Sequence, residues 1–399
     1  MFPSTKKVTR EQTKIHNNRL VLKTIYAHGE ISRADIARIT RLTATTVSGI
    51  VAESITKGLV EEVGSIPVAR GKPPTLLSMA KDSRQLIGLD LARSEFQGAV
   101  MNMRGEQLQQ ASIAVDEQTG EEALGLVYDL IDTLIVTTEM PLLGIGIAAP
   151  GIIDAGNGVV RHAVNFGWYD LPLRQLLNDR YDLPVYVAND NDVAVLAEYT
   201  FGEYKSSSDL VVVSAGHGIG AGIVLGGQLF YGHGFGAGEI GHVAVVENGE
   251  RCMCGNYGCL ETISSSRAIV KRAQSIAQAN PNSLVHQFVP DLQELKIGAV
   301  VQAFEAGDSE LQEVIADVGH YLGVALANLV GVLSVPTILV AGSVAQFGQP
   351  LLATLREVVA KNSLAALASH TKIEFSSLGR DIVFLGTTAL LLSQELGVV

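Results

Sequence analysis

All three cysteines of this 399-residue chain lie in Cys252-x-Cys254-x4-Cys259, just after Gly238-Glu-Ile-Gly-His242. An odd number of cysteines in one loop does not build a disulfide framework. Three thiolates and one imidazole do satisfy a tetrahedral zinc ion. The tight spacing lets one loop wrap the metal, and His242 closes the site from a distance. His242, Cys252, Cys254 and Cys259 are therefore the expected ligands. Four protein ligands leave no open position, which gives Zn2+ a structural role. Cysteines used in this way point to a reducing cytoplasm. The first ten residues are polar and basic with no apolar core behind them, so no secretion signal is expected.

Polar residues suited to gripping a polyol surround that loop. Glu239 and Glu261 can accept hydrogen bonds from vicinal hydroxyls, and a zinc-bound His242 keeps one ring nitrogen for another partner. Asn189 and Asp190 follow the apolar run 184–187, at a strand end where ligand groups are favoured. Asn165, in Asn165-Phe-Gly-Trp168, is a further candidate. Ser214-Ala-Gly-His-Gly-Ile-Gly-Ala-Gly222 offers glycines that can cradle phosphate or serve tight turns.

Charge divides the chain. Residues 1–81 carry a balance of +7 and the remainder −19, within a net charge of −12. A basic head on an acidic body suggests that the head alone meets a polyanion. In the head, residues 13–28 have helical spacing with Ile15, Leu20, Leu22, Ile25 and Tyr26 on the apolar face. Ser32 caps a second helix, Arg33 to Thr40, whose apolar face is Ile36, Ala37 and Ile39. Thr43 caps a third, Ala44 to Lys57. Two short helices joined by a tight turn are the pattern of a DNA-reading unit. Thr45, Thr46 and Ser48 are expected at base edges and phosphates, with Arg41 and Lys57 on phosphates. Residues 59–63 and 75–79 can pair as a wing. Its tip, Arg70-Gly71-Lys72 followed by proline, suits a minor groove.

The body reads as α/β. Strands at 86–91, 96–103 and 107–115, a helix near 120–139 and a strand at 143–149 make half of such a domain. A strand–hairpin–strand order recurs at 210–214, 221–225 and after Gln228, with Gly226-Gly-Gln-Leu229 echoing Gly105-Glu-Gln-Leu108. Two similar lobes around a cleft follow from such duplication. Residues 320–355 contain no Asp, Glu, Lys or Arg. Gly323, Asn328 and Gly331 interrupt that run, and Pro336 precedes a short β-like segment. A buried helix and strand are expected there, with no membrane insertion.

The Gly-Glu-Ile-Gly-His242 and Cys-x-Cys-Gly-x-x-Gly-Cys-Leu-Glu261 motifs resemble those of the ROK family (repressor, open reading frame, kinase) over essentially the whole chain. The resemblance implies a two-lobed actin-like, ribonuclease-H-like ATPase fold behind an N-terminal winged helix-turn-helix domain, assembled as a homodimer or homotetramer. The domains would be 1–82 for the head, 83–190 for the first lobe, completed by the C-terminal helix at 381–399, and 191–380 for the second lobe. It also implies Asn165, Asn189, Asp190, Glu239, His242 and Glu261 as sugar contacts. Kinases of the family carry Asp-x-Gly-Gly-Thr at the first phosphate loop; here the stretch is Asp90-Leu-Ala92-Arg93-Ser94. Side chains in place of both glycines obstruct a close approach to phosphate. In the second loop His217 replaces a threonine. No ATP use is therefore expected, and Asp190, the family's general base, becomes a hydroxyl acceptor.

The expected function is a sugar-responsive repressor of carbohydrate genes, with double-stranded operator DNA and a small neutral sugar as partners. An ATP-dependent sugar kinase carrying a DNA-binding head is the alternative. A regulator blind to sugar and controlled by another protein is the third reading.

Overall fold

The computed structural model describes residues 9–65, 73–92, 94–205 and 207–398. Two compact units emerge: Met1–Ala188 with Val383–Val399, and Asn189–Ile382.

The first unit begins with three helices. These are α1 (Arg10–His28), then α2 (Arg33–Thr40) after the short strand β1 (Ile31–Ser32), then α3 (Ala44–Thr56). Each start is set by a side-chain cap. Thr9 and Gln12 form a reciprocal capping box, Ser32 accepts from the Asp35 N–H, and Thr43 accepts from the Thr46 N–H. Strands β2 (Val60–Ser65) and β3 (Thr75–Met79) pair antiparallel, with a register shift between Glu62 and Gly64. The tip expected at Arg70, Gly71 and Lys72 lies outside the described residues.

Two side chains assigned to the head's core lie elsewhere. Ile15 is 50% and Ile39 44% exposed. The buried residues of α1 all fall between Val21 and Tyr26, so its N-terminal half extends past the packed region. The eight-residue α2 buries only Ile36. Helical spacing shows which side a residue takes; it does not show where the neighbouring helix ends.

The rest of the first unit is built on β4 (Gln85–Leu91), β5 (Glu95–Asn102), β6 (Gln107–Ala114), α4 (Gly120–Ile135) and β7 (Leu142–Ala149). There follow β8 (Ile152–Asp154), β9 (Val159–Ala163), β10 (Trp168–Leu171), α5 (Leu173–Tyr181) and β11 (Val185–Asn189). The main sheet runs β11-β7-β4-β5-β6, and β8, β9 and β10 form a separate small sheet. The C-terminal helix α13 (Ile382–Leu391) packs on the main sheet where glycines make room: a Cβ on Gly146 would stand 2.8 Å from the Thr387 carbonyl oxygen. The chain's last turn then meets the head, where the Arg19 guanidinium donates to the Gln394 carbonyl at 3.1 Å.

The second unit opens with α6 (Asp190–Phe201), β12 (Leu210–Ala215), β13 (Ile219–Leu225) and β14 (Gln228–Leu229). It continues through α7 (Glu261–Ser264), α8 (Ser266–Ala279), α9 (Ile297–Glu305) and α10 (Ser309–Leu333). It closes with β15 (Thr337–Ala341), α11 (Gly348–Asn362), α12 (Ala365–Ala368) and β16 (Lys372–Phe375). Its sheet order is β14-β13-β12-β15-β16. This repeats the first sheet: an antiparallel meander of three strands, extended by a strand that pairs parallel with the meander's first. The echo seen between the Gly105 and Gly226 segments is thus a duplicated topology. Helix α10 is long and apolar enough to cross a membrane by length and composition. Eleven of its residues are buried, many in the second unit's core.

Candidate functional site

The ligand atoms of His242, Cys252, Cys254 and Cys259 all lie within 4.8 Å of one another. Cys252 and Cys259 are buried, and Cys254 faces solvent. The Cys254 and Cys259 sulfurs are 3.7 Å apart, and the His242 Nδ1 is 3.7 Å from the Cys252 sulfur. Tetrahedral zinc with Zn–S bonds of about 2.3 Å sets its sulfurs roughly 3.8 Å apart. The donor set and its spacing therefore fit zinc.

The backbone explains the glycines of the loop. Gly258 adopts φ +70°, and a Cβ there would stand 1.8 Å from the Val246 carbonyl oxygen. The loop closes through the Cys252 N–H to the Asn256 carbonyl at 2.8 Å and a bridge between Ala244 and Cys259. Burial, followed by the neighbouring thiols, pushes the Cys259 thiol up to about 12.

The Gly238-Glu-Ile-Gly-His242 motif lies against β13. A Cβ on Gly238 would stand 1.8 Å from the Ala221 carbonyl oxygen, and one on Gly241 2.2 Å from that of Ile219. Only glycine lets this turn approach so closely. Glu239 and His242 then stand together, with the carboxylate 3.7 Å from the imidazole Nε2. The Nδ1 side thus faces sulfur and the Nε2 side faces Glu239.

Glu261 opens α7 immediately behind the cysteine loop. One of its oxygens accepts from the Ile219 N–H at 3.2 Å; the other is 3.4 Å from the Arg267 guanidinium. Asn189 caps α6, and both its carbonyl oxygen and an Asp190 oxygen accept from the Asn191 backbone and side-chain amides. Burial raises the Glu239 carboxyl, and the charge of Glu261 adds to this. Asn189, Asp190, Glu239, His242 and Glu261 belong to the second unit. Asn165 belongs to the first. There it sits exposed in a 3-10 turn whose Phe166 is packed 5.1 Å from Phe96 and 4.9 Å from Trp168.

Asp192 was not singled out in the sequence, although it shares the first turn of α6 with Asp190. Burial, then Asp190 and Glu239, raise its carboxyl to about 7. Burial, the largest cause, and the charge of Glu239 depend on tertiary packing; the Asp190 contribution is local to α6. The unfolded chain releases this proton near pH 4, so stability is lost as pH rises from about 4 through 7. Asp192→Asn should therefore raise thermal stability at pH 8 by ~2 kcal/mol, a figure halved for the residue's partial exposure, with the gap to wild type closing by about pH 4. Melting curves across that range test this; equal curves at pH 8 would refute it.

The glycine-rich segment 214–222 serves packing at its end: a Cβ on Gly222 would stand 2.0 Å from the Asn191 carbonyl oxygen. At the end of β4, burial raises the Asp90 carboxyl to about 6, and Ala92 is exposed. Arg93 lies outside the described residues.

In the head, Thr45 and Ser48 are exposed on α3, whereas the Thr46 hydroxyl is bonded to that of Thr43 at 2.8 Å. Arg41 is exposed at the left-handed C-cap of α2. Lys57 pairs with Glu53 at 2.8 Å.

The ROK family model matches residues 86–394. The chain belongs to the ROK family. A xylose repressor of Caldicellulosiruptor bescii is 34% identical over 385 residues, covering 95% of this chain and 96% of its own. A solved ROK family transcriptional regulator, described as a homologue of the Escherichia coli MLC protein, is 28% identical with a TM-score of 0.84, covering 97% of this chain and 98% of its own. A glucokinase of Halalkalibacterium halodurans is 31% identical but covers 78% of this chain against 96% of its own. The fold is the two-lobed α/β architecture that ROK regulators and ROK kinases share.

Proposed function

We propose that this ROK protein is a cytoplasmic repressor of carbohydrate genes. Its winged helix-turn-helix head binds double-stranded operator DNA, and a small neutral sugar in the body controls that binding. The observation that carries the reading is one of coverage. The glucokinase is matched almost whole yet leaves about a fifth of this chain uncovered, and the family model begins at residue 86. The xylose repressor extends over 95% of the chain. What separates this chain from a bare kinase is therefore a segment the size of the head.

In the body, Asp190, Glu239 and Glu261 accept sugar hydroxyls, Asn165 and Asn189 add amide contacts, and the Nε2 side of His242 faces the ligand. Zn2+ held by His242, Cys252, Cys254 and Cys259 would keep the Glu239 and Glu261 segments in place. In the head, Thr45, Thr46 and Ser48 read bases, Arg41 and Lys57 contact phosphates, and the wing tip Arg70, Gly71 and Lys72 enters the minor groove. As a homodimer or homotetramer the protein would place two heads on successive half-sites. For the sugar to act as a switch, it must bind the two states with different affinity.

The test is operator affinity with and without D-xylose, D-glucose and N-acetylglucosamine. One of them should shift affinity at least tenfold; no shift with any neutral sugar would end the sugar-switch reading. Ser48→Ala should weaken operator binding about tenfold, the loss of one base contact, and leave sugar affinity unchanged. The kinase alternative keeps Asp190 and the glucokinase likeness in its favour. Turnover of ATP with hexoses at ordinary kinase rates would establish it.

A further inference from the structure

Two arginines from the body side cap two helices of the head. Helix α1 ends at His28, so the carbonyl of Tyr26 is among the last four that the helix's own ladder leaves unsatisfied. The Arg104 guanidinium, in the turn between β5 and β6, donates to that carbonyl at 2.8 Å. The same guanidinium lies 4.4 Å from the centroid of the buried Tyr26 ring. Helix α3 ends with Lys57 as its C-cap, and the Arg84 guanidinium donates to the Lys57 carbonyl at 3.0 Å. A cation at a helix C-terminus complements both the free carbonyls and the helix dipole.

Both arginines are fixed from below. Arg84 immediately precedes β4, and Arg104 follows β5 by two residues, at the strand ends where Gln85 and Asn102 pair. Asn102 is fully buried. Its carbonyl oxygen accepts from the backbone N–H groups of Arg104 and Glu106. Its amide donates to Asp82 and Glu106, each at 2.8 Å. The two cations thus stand at one end of the central strands of the first-lobe sheet. The far end of the same two strands pairs Asp90 with Gln97.

We propose that Arg84 and Arg104 are positioning residues for DNA reading. They fix the carbonyl ends of α3 and α1 to the paired ends of β4 and β5, so that the attitude of the first-lobe sheet sets the attitude of the DNA-reading helix. The inference rests on the repressor reading for its use of DNA. It gives the body a defined grip on the head: Arg84 adds a side-chain bond to the chain connection through residues 80–84, and Arg104 acts from outside that connection.

The test uses full-length protein and a duplex enriched from a random library by the wild type. R84A/R104A should bind that duplex at least tenfold more weakly, while it still unfolds in a cooperative transition above the assay temperature and its affinity for D-xylose or D-glucose, where the wild type binds one, stays unchanged. R84K/R104K keeps charge and one donor at each site and should return to within threefold of wild type. Should the alanine pair not fold, R84Q/R104Q takes its place with the same threshold. Affinity within twofold of wild type in the folded alanine or glutamine pair overturns the inference and leaves the repressor reading standing. Failure of the wild type to enrich any duplex ends the repressor reading, and this inference with it.

Discussion

Cys259→Ser is expected to cost the protein its metal and much of the stability of its second unit. Cys259 is fully buried and its sulfur stands 3.7 Å from that of Cys254. Its neighbour Leu260 leads directly into α7, and the Thr262 hydroxyl donates to the Cys259 carbonyl at 2.7 Å. Structural zinc contributes roughly 10–16 kcal/mol to the folding of small zinc peptides, so the loss of one ligand in four removes several kcal/mol. Bound zinc should fall from about one per chain to a small fraction of that, and the melting temperature by roughly 10 °C, at about 2–4 °C per kcal/mol. Chelation of the wild type should reproduce the shift. Ligand affinity should fall as well, because Glu261 is anchored through the same loop. A serine variant with wild-type metal content and melting would remove Cys259 from the ligand set.

Glu261→Ala carries the second large effect. One oxygen of this side chain accepts from the Ile219 N–H and the other approaches Arg267, so the carboxylate is held in a fixed orientation. In the proposed site it accepts sugar hydroxyls, and a hydrogen bond to a charged group is worth about 1.5–3 kcal/mol. Loss of two such contacts should weaken sugar binding on the order of 100-fold, as read by calorimetry. Operator affinity without sugar should remain at the wild-type level, making the variant a DNA binder whose affinity sugar no longer shifts. Stability should fall by about 1.5–3 kcal/mol, the value of the lost bond between the Ile219 N–H and the carboxylate. Unchanged sugar affinity would remove Glu261 from the site. Operator binding lost together with sugar binding would point instead to general damage.

Some of this was present in local sequence. The caps at Ser32 and Thr43 act within a few residues of chain, and the structure places α2 and α3 where those residues mark their starts. The cysteine spacing works the same way: one short loop supplies three sulfurs, so their convergence needs only local turns. Ile15 and Ile39 mark the limit, because their exposure depends on how far other helices extend.

The chain by itself determined the helical head, the basic–acidic division and the gathering of His242, Cys252, Cys254 and Cys259, all of which follow from short-range spacing and from counting charge. Tertiary structure decided the rest. The raised carboxyl of Asp192 comes first from burial by packed segments, with a further contribution from Glu239, 47 residues away in sequence. The capping of α1 by Arg104 spans 78 residues. The glycines at 238 and 241 have their meaning only against the backbone of β13. Desolvation, through-space charge and close backbone approach depend on which distant segments are packed together, and a one-dimensional pattern does not carry that information.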